Sequence, residues 1–315
     1  MNSGRPIGGL SIDCDNLWSY LRTRGDSDWD TYPSFLDVAI PRALAVFSDL
    51  KLKVTFFIVG RDAEREDLQG IWGDVAAAGH EIGNHSYDHR VDFHRLSPAE
   101  LRTDFDEAES AIANATGHRP VGFRGPSFRD SATIRRELIS RDYEYASSDF
   151  PTILGPLARA YHFSTSNLNP EQKQLQKDLF GGFSEGVTSL RPHFGGSQGS
   201  RLAALPVTTF PALRLPIHMT YVNFAADSSE AFARMYLRAA VRMCRLRRIP
   251  LNFLLHATDF IGADDSLSAD FLPGMRRSHD DKLHFLKGEL DFLSRRHDLR
   301  SLREYSSAIF TSAPV

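Results

Sequence analysis

Lys53-Val54-Thr55-Phe56-Phe57-Ile58-Val59, a helical piece over about 71–78, and Glu81-Ile82-Gly83-Asn84-His85-Ser86-Tyr87-Asp88-His89 make one strand–helix–strand unit. The first run is short, β-branched and aromatic, as buried strands are. The helical piece stops at Gly79, a common helix-ending residue. A third strand over 81–84 then delivers two histidines four residues apart. The chain reads as a frame around that pair.

The alternation extends to both sides. Ile7 to Ile12 reads as a buried first strand ending at Asp13-Cys14-Asp15. Residues 16–34 carry Trp18, Tyr20, Trp29 and Tyr32 among charges and Pro33, and read as a long aromatic loop. Phe35 to Leu50 has apolar residues at helical spacing. Ser97-Pro98-Ala99-Glu100 is a helix start, with Ser97 as cap, Pro98 at the first position and Glu100 completing a capping box. Next come a strand at 121–123, Arg124-Gly125-Pro126-Ser127-Phe128, a helix over 132–141, and a strand from Tyr143 ending near Asp149.

From about 150 to 205 the alternation fails. That segment has scattered Pro and Gly, the tract His193-Phe194-Gly195-Gly196-Ser197, and helical character over 171–179. It reads as a lid-like insertion, since loops this long are usually functional or mobile. The frame resumes at Leu205-Pro206-Val207-Thr208. An amphipathic helix over 230–247, a strand over 251–255 closing at His256, a helix over 279–296 and a short capped piece from Ser301 follow. Repeated strand–helix units without a nucleotide-binding glycine loop point to one parallel α/β barrel over 1–315. Asp13, His85, Arg124 and His256 each follow a strand, and in a barrel those strand ends share the face where active sites sit.

The net charge of −3 and the absence of long basic runs speak against nucleic-acid binding. Two cysteines, Cys14 and Cys244, are too few for a disulfide framework and fit a reducing compartment. Strand alternation points Cys14 away from its two aspartate neighbours, into packing. The N-terminus has no apolar signal region and the chain has no apolar run of membrane-spanning length. A cytoplasmic location is the expectation, with contact at a membrane surface through the aromatic loop or the insertion left open. Oligomeric state is not legible.

Placed on a helical turn, His85 and His89 would present both rings on one side. Two imidazoles and a carboxylate leave positions open for water and substrate, the arrangement of a catalytic metal. In a chain with 12 histidines such a pair also arises readily by chance. Asp13 and Asp15 place two carboxylates on one side of a strand end. Burying two like charges is costly unless a cation compensates. One metal ligand and one general base is a natural division. A guanidinium at Arg124 would orient such a base by two parallel hydrogen bonds. An imidazole titrates near neutrality, so His256 suits a general acid as well as a core position. His162 and His193 are expected away from the site.

Together these segments resemble the polysaccharide deacetylase family, carbohydrate esterase family 4. The matching motifs are Ser11-Ile12-Asp13-Cys14-Asp15, Asn84-His85-Ser86-Tyr87-Asp88-His89, Phe123-Arg124-Gly125-Pro126-Ser127-Phe128, Ser147-Ser148-Asp149 and Leu254-Leu255-His256. The resemblance implies a distorted (β/α) barrel of seven or eight parallel strands and a metal-dependent amide hydrolase. It assigns Asp15, His85 and His89 to a divalent metal, zinc first, with cobalt, nickel, manganese or iron(II) as alternatives. It makes Asp13 the base held by Arg124, His256 the acid, and a backbone N–H near Ser127 an oxyanion donor. Asp149 is the candidate carboxylate tuning His256.

Two departures matter. One residue separates the aspartates, where the family often has them adjacent. Ser127-Phe128 replaces the usual Tyr-Gly, which alters the oxyanion and sugar contacts. The expected reaction is deacetylation of an amino sugar in a small or lipid-linked glycan precursor. A deformylase, a cyclic imide or ureide hydrolase, and an inactive carbohydrate-binding relative are the alternatives.

Overall fold

Consecutive parallel strands need a crossover, and a helix supplies it. The computed structural model describes residues 4–182, 184–195, 202–267 and 269–311. In chain order they form β1 (Ile7–Asp13), α1 (Leu17–Arg24), α2 (Leu36–Asp49), β2 (Thr55–Ile58), α3 (Gly60–Ala63), α4 (Gln69–Ala77) and β3 (Glu81–Asn84). Then come α5 (Pro98–Thr116), β4 (Gly122–Phe123), α6 (Ala132–Ser140), β5 (Tyr145–Ala146), α7 (Gly155–Thr165), α8 (Pro170–Leu175), β6 (His193–Phe194) and β7 (Ala203–Ala204). The last third holds α9 (Met219–Ala226), α10 (Glu230–Leu246), β8 (Leu251–His256), α11 (His279–Ser294), β9 (Asp298–Arg300) and α12 (Leu302–Thr311).

The sheet runs β7-β5-β4-β3-β2-β1-β8, every neighbouring pair parallel. β9 adds to β1 in parallel along Ile7–Gly9, and β6 pairs antiparallel with β7. The result is the distorted α/β barrel expected, with eight parallel strands among the described residues. Its last gap is bridged by the bond from Thr208 N to Asn252 O, 3.0 Å. There the buried Asn252 amide donates to Leu205 O at 3.0 Å and Pro206 O at 3.1 Å. Pro206 has no N–H for a regular ladder, so a side chain satisfies carbonyls that a strand would otherwise pair.

Strand alternation divides the core. Ile12, Phe56, Ile58, Phe253 and Leu255 pack outward in the main apolar cluster, which also holds Cys14 and side chains of α2, α4, α10 and α11. Phe57, Tyr145, Leu205, Leu302 and Tyr305 fill a second cluster inside. Gly83 and Gly122 make room for it. A methyl group on them would meet the Phe57 ring at 2.5 Å and the Tyr145 ring at 2.1 Å. Each large apolar side chain so buried contributes roughly 1.5–3 kcal/mol.

The capping box at Ser97 and Glu100 is present. Two expectations need correction. First, residues 16–34 are not one loop. The Asn16 side chain caps Leu17 N, α1 ends at Gly25 with φ 78°, and the fully buried Trp18 bonds through its indole N–H to Asp62. Trp18 points inward because the buried Asp62 waits there for its N–H. Second, the sheet resumes at Ala203, two residues before the stretch expected, because β7 pairs with β5. The insertion bonds to α1: Gln176 Nε2 donates to Thr23 O (2.9 Å) and Asn167 N to Arg24 O (2.9 Å). Gly196 and Ser197 of the glycine tract lie outside the described residues. No helix among the described residues is long and apolar enough to cross a membrane.

Candidate active site

Because the strands are parallel, Asp13, His85, Arg124 and His256 come to one end of the barrel. Asp13 and His256 close β1 and β8 as register partners, while His85 and Arg124 follow β3 and β4. Asp15 lies two residues beyond β1. Its Oδ1 is 3.0 Å from His85 Nε2 and 3.1 Å from His89 Nε2. Ligating atoms of the three lie within 4.8 Å of one another, and all three side chains are buried. Burial works to raise the Asp15 carboxyl, but the two imidazoles override it and hold the group well below the usual carboxylate range.

The donor set fits a divalent ion. Apart from these contacts within the trio, Asp15 Oδ1 and both ring nitrogens of His89 are buried without a hydrogen-bond partner among the described residues. Two nitrogens and one carboxylate oxygen suit zinc and its neighbours. His85 Nδ1 is 2.6 Å from Arg124 O, which directs Nε2 toward Asp15. A second cluster, Asp264, Asp265 and His279, fits less well. It is more exposed, and Arg42 and His279 already pair its carboxylates.

The two histidines do not meet on a helical turn. Residues 85–89 form an irregular loop, with Ser86 at φ 65° and His89 at φ 43°. Side chains hold it: Asn84 Oδ1 accepts from Ser86 N, Ser86 Oγ from His89 N and Asp104 Oδ1 from Tyr87 N. Arg22 of α1 bonds to Asp88 and to His89 O, and Arg61 pairs with Asp88 at 2.6 Å. The segment read as an aromatic loop thus helps to clamp the His85–His89 loop.

Arg124 is fully buried and uses four of its five N–H groups. It donates to Asp13 Oδ1 (2.6 Å), Ser11 Oγ (3.0 Å), Ser147 O (2.9 Å) and Ser147 Oγ (2.8 Å), and lies over the Phe57 ring. The expected pair of parallel bonds to Asp13 is a single bond, because the rest of the fork serves the serines. Asp13 Oδ2 is left facing His256 Nε2 at 3.9 Å.

The carboxylate behind His256 is not Asp149, which pairs with Arg135 at 3.2 Å. It is Asp259. Thr220 Oγ1 stands between, 3.0 Å from His256 Nδ1 and 3.2 Å from Asp259 Oδ2. Asp259 also accepts from Asn223 Nδ2 and His256 N, both at 2.9 Å. Burial raises its carboxyl, and His256 and Lys282 pull it back.

Tyr20, His218, Thr220 and Asp259 were missed from the sequence. The Tyr20 hydroxyl donates to Asp15 Oδ2 at 3.3 Å, and burial keeps it protonated. The His218 ring lies 5.2 Å from His256 and 5.6 Å from Phe150, which stacks on Phe128 at 4.7 Å. Burial, then His256 and Arg124, hold His218 neutral. The one usable signal was His256-Ala257-Thr258-Asp259, whose i, i+3 spacing lets the carboxylate reach back to His256 N. Ser127 and Phe128 sit in a left-handed turn, φ 52° and 58°, whose bonds are donated by Phe128 and Arg129. As expected, His162 and His193 bond elsewhere, to Gln176 and Arg191.

Known proteins share parts of this chain. Residues 28–146 match the polysaccharide deacetylase family model, a span that includes His85, His89 and Arg124. The peptidoglycan deacetylase of Helicobacter pylori is 28% identical over 141 residues, 44% of this chain and 47% of that protein. The chain spans less than half the length of the curated relatives it matches. A candidate polysaccharide deacetylase from Mycobacterium smegmatis has a similar fold, with TM-score 0.63 and 17% identity over 99% of this chain and 92% of that one. The Puue allantoinase does so with TM-score 0.59 and 14% identity over 100% and 94%. At such identities the two structures bear on the frame alone. The polysaccharide deacetylase model thus covers the part of the chain that carries His85, His89 and Arg124, while the two structures share the frame as a whole.

Proposed function

We propose that this chain is a metal-dependent amide hydrolase that removes an acetyl group from an N-acetylated amino sugar. The observation that carries the reading is the Asp15–His85–His89 trio lying beside the Asp13–His256 pair at one strand end. A divalent ion held by the trio would acidify water and polarise the acyl carbonyl. Asp13 takes the proton from the attacking water at Oδ2, while its Oδ1 stays bonded to Arg124. His256 then gives the proton on Nε2 to the leaving nitrogen. Thr220 accepts a hydrogen bond from Nδ1–H of the imidazolium and donates its own to Asp259, so the positive charge that His256 carries before it gives up its proton is matched by a buried carboxylate. The Ser127 N–H, which is not used by its turn, is our candidate oxyanion donor.

Burial of Asp13, Asp15, His85 and His89 supports a small substrate or the end of a chain, a free or lipid-linked glycan precursor. The separated aspartates and the Phe128–Phe150–His218 wall also suit a second reading. In it a formamido sugar, a cyclic imide or a ureide is the substrate, and the likeness to an allantoinase frame is compatible with this. An inactive carbohydrate-binding relative is less well supported, since the chain keeps both the Asp13–His256 pair and the Asp15–His85–His89 trio.

The test is incubation of the full chain with an N-acetyl sugar, a lipid-linked formamido sugar and a cyclic imide, scoring acetate, formate and ring opening. Acetate supports the first reading. Formate or ring opening alone transfers the assignment to the second, and no product with any of them supports the inactive relative.

A further inference from the structure

Helix α10 carries an outer face that the barrel does not need. Its inner residues Ala233, Leu237, Ala240, Val241 and Cys244 are buried. The stripe Phe232, Met235, Ala239, Arg242, Leu246 follows helical spacing along the opposite side, and all of it is exposed. Phe232 is 53% exposed, Met235 60% and Leu246 69%, where an unpartnered helix would carry polar residues. Arg242, Arg245, Arg247 and Arg248 flank its C-terminal half and are exposed. Among the described residues none of the four has a carboxylate partner, whereas Arg234 and Arg238 on the same helix face Glu289.

We propose that this face of α10 rests on an anionic lipid surface. Uncompensated arginines beside solvent-exposed Phe, Met and Leu are the pattern of an interfacial helix. The arginines meet the headgroup phosphates and the apolar side chains enter the acyl boundary. A second copy of the chain is disfavoured, because a symmetric contact would set arginine against arginine. Nucleic acid would satisfy the arginines but give Phe232, Met235 and Leu246 nothing to bury against. The proposal does not depend on which amide the site hydrolyses, and it transfers the expected membrane contact away from the aromatic segment, whose Trp18 is buried.

Co-sedimentation of the full chain with vesicles tests it. The chain should pellet with equimolar phosphatidylglycerol and phosphatidylcholine, stay in solution with phosphatidylcholine alone, and be released by high salt. Arg242→Glu with Arg245→Glu and Arg247→Glu should weaken vesicle affinity roughly ten-fold or more, since each arginine near an anionic surface contributes to binding. Phe232→Ser with Met235→Ser should also weaken it, without change in site activity on a soluble substrate. Should the charge-reversed variant fail to fold, the lipid and salt dependence of the native chain decides. Equal pelleting with both vesicle types, no effect of the substitutions in folded protein, or retention on a short DNA duplex without vesicle binding overturns the assignment.

Discussion

Asp13 and His256 are register partners across β1 and β8, with 3.9 Å between Asp13 Oδ2 and His256 Nε2. Among the described residues no side chain bridges them by a hydrogen bond. In the proposed reaction the gap is where the scissile bond passes between base and acid. Asp13→Asn keeps the shape and the Arg124 contact but removes the basic oxygen. Turnover should fall by roughly 10²–10⁴-fold, the usual weight of general acid–base catalysis, with metal content unchanged. Rate and elemental analysis on the same preparation check this. Unchanged turnover would remove Asp13 from the mechanism.

Arg124 makes its four bonds without any solvent contact. Replacing it by Met would leave the buried Asp13 charge without its partner, a change that costs about 3–5 kcal/mol. Denaturant unfolding should show a loss of that size. Arg124→Lys should recover only part of it, since one ammonium cannot reach Asp13 and both Ser147 atoms in the same plane.

The Thr220 hydroxyl links His256 Nδ1 to Asp259 Oδ2. Thr220→Val is nearly isosteric and severs that link. We expect kcat to fall about ten-fold or more, with KM and metal content little changed, because the lost bond supports the protonated imidazole that serves as the acid. Steady-state kinetics decide. A change confined to KM would make Thr220 a substrate contact instead.

Tyr20 reaches Asp15 Oδ2 from a helix that the sequence did not reveal. Removing the hydroxyl in Tyr20→Phe should weaken metal binding by about 10–100-fold, as loss of a group behind a ligand does. Competition with a coloured chelator measures this on protein alone. The thermal midpoint of metal-free protein should barely change.

What was legible follows from what each signal depends on. Strand identity came from the apolar runs at 7–12, 53–59 and 251–255, where burial on both faces leaves little choice of residue. The order of Asp13, His85, Arg124 and His256 at strand ends placed most of the site, because parallel strands align their ends. Geometry not written in local spacing stayed hidden. His85 and His89 share an i, i+4 spacing but meet through a loop with left-handed residues, held by Arg22 and Asp104 from distant segments. Asp149 stood in a motif-like place yet pairs with Arg135, while Thr220 reaches His256 across 36 residues. Segment 16–34 looked like loop because its helix is only eight residues long and its buried Trp18 is held by a polar partner, Asp62.

Asp104 holds Tyr87 N and is buried, and burial pushes its carboxyl up to about 7. A folded-state value above the unfolded one means that the folded protein binds more protons between the two. Stability should therefore decline as pH rises from about 4 to above 7. Asp104→Asn should flatten that decline, which denaturant unfolding at several pH values would reveal. A native chain that gains stability across this window contradicts the assignment.

The central claim is that Asp15, His85 and His89 hold a divalent ion on which amide hydrolysis depends. The most direct measurement is elemental analysis of full-length protein purified without chelator, paired with acetate release from an N-acetyl sugar before and after metal stripping. The account predicts one divalent ion per chain, loss of that ion in His85→Ala and His89→Ala, and acetate release that stops on stripping and returns with added zinc. Metal-free protein whose acetate release is indifferent to chelator would contradict it.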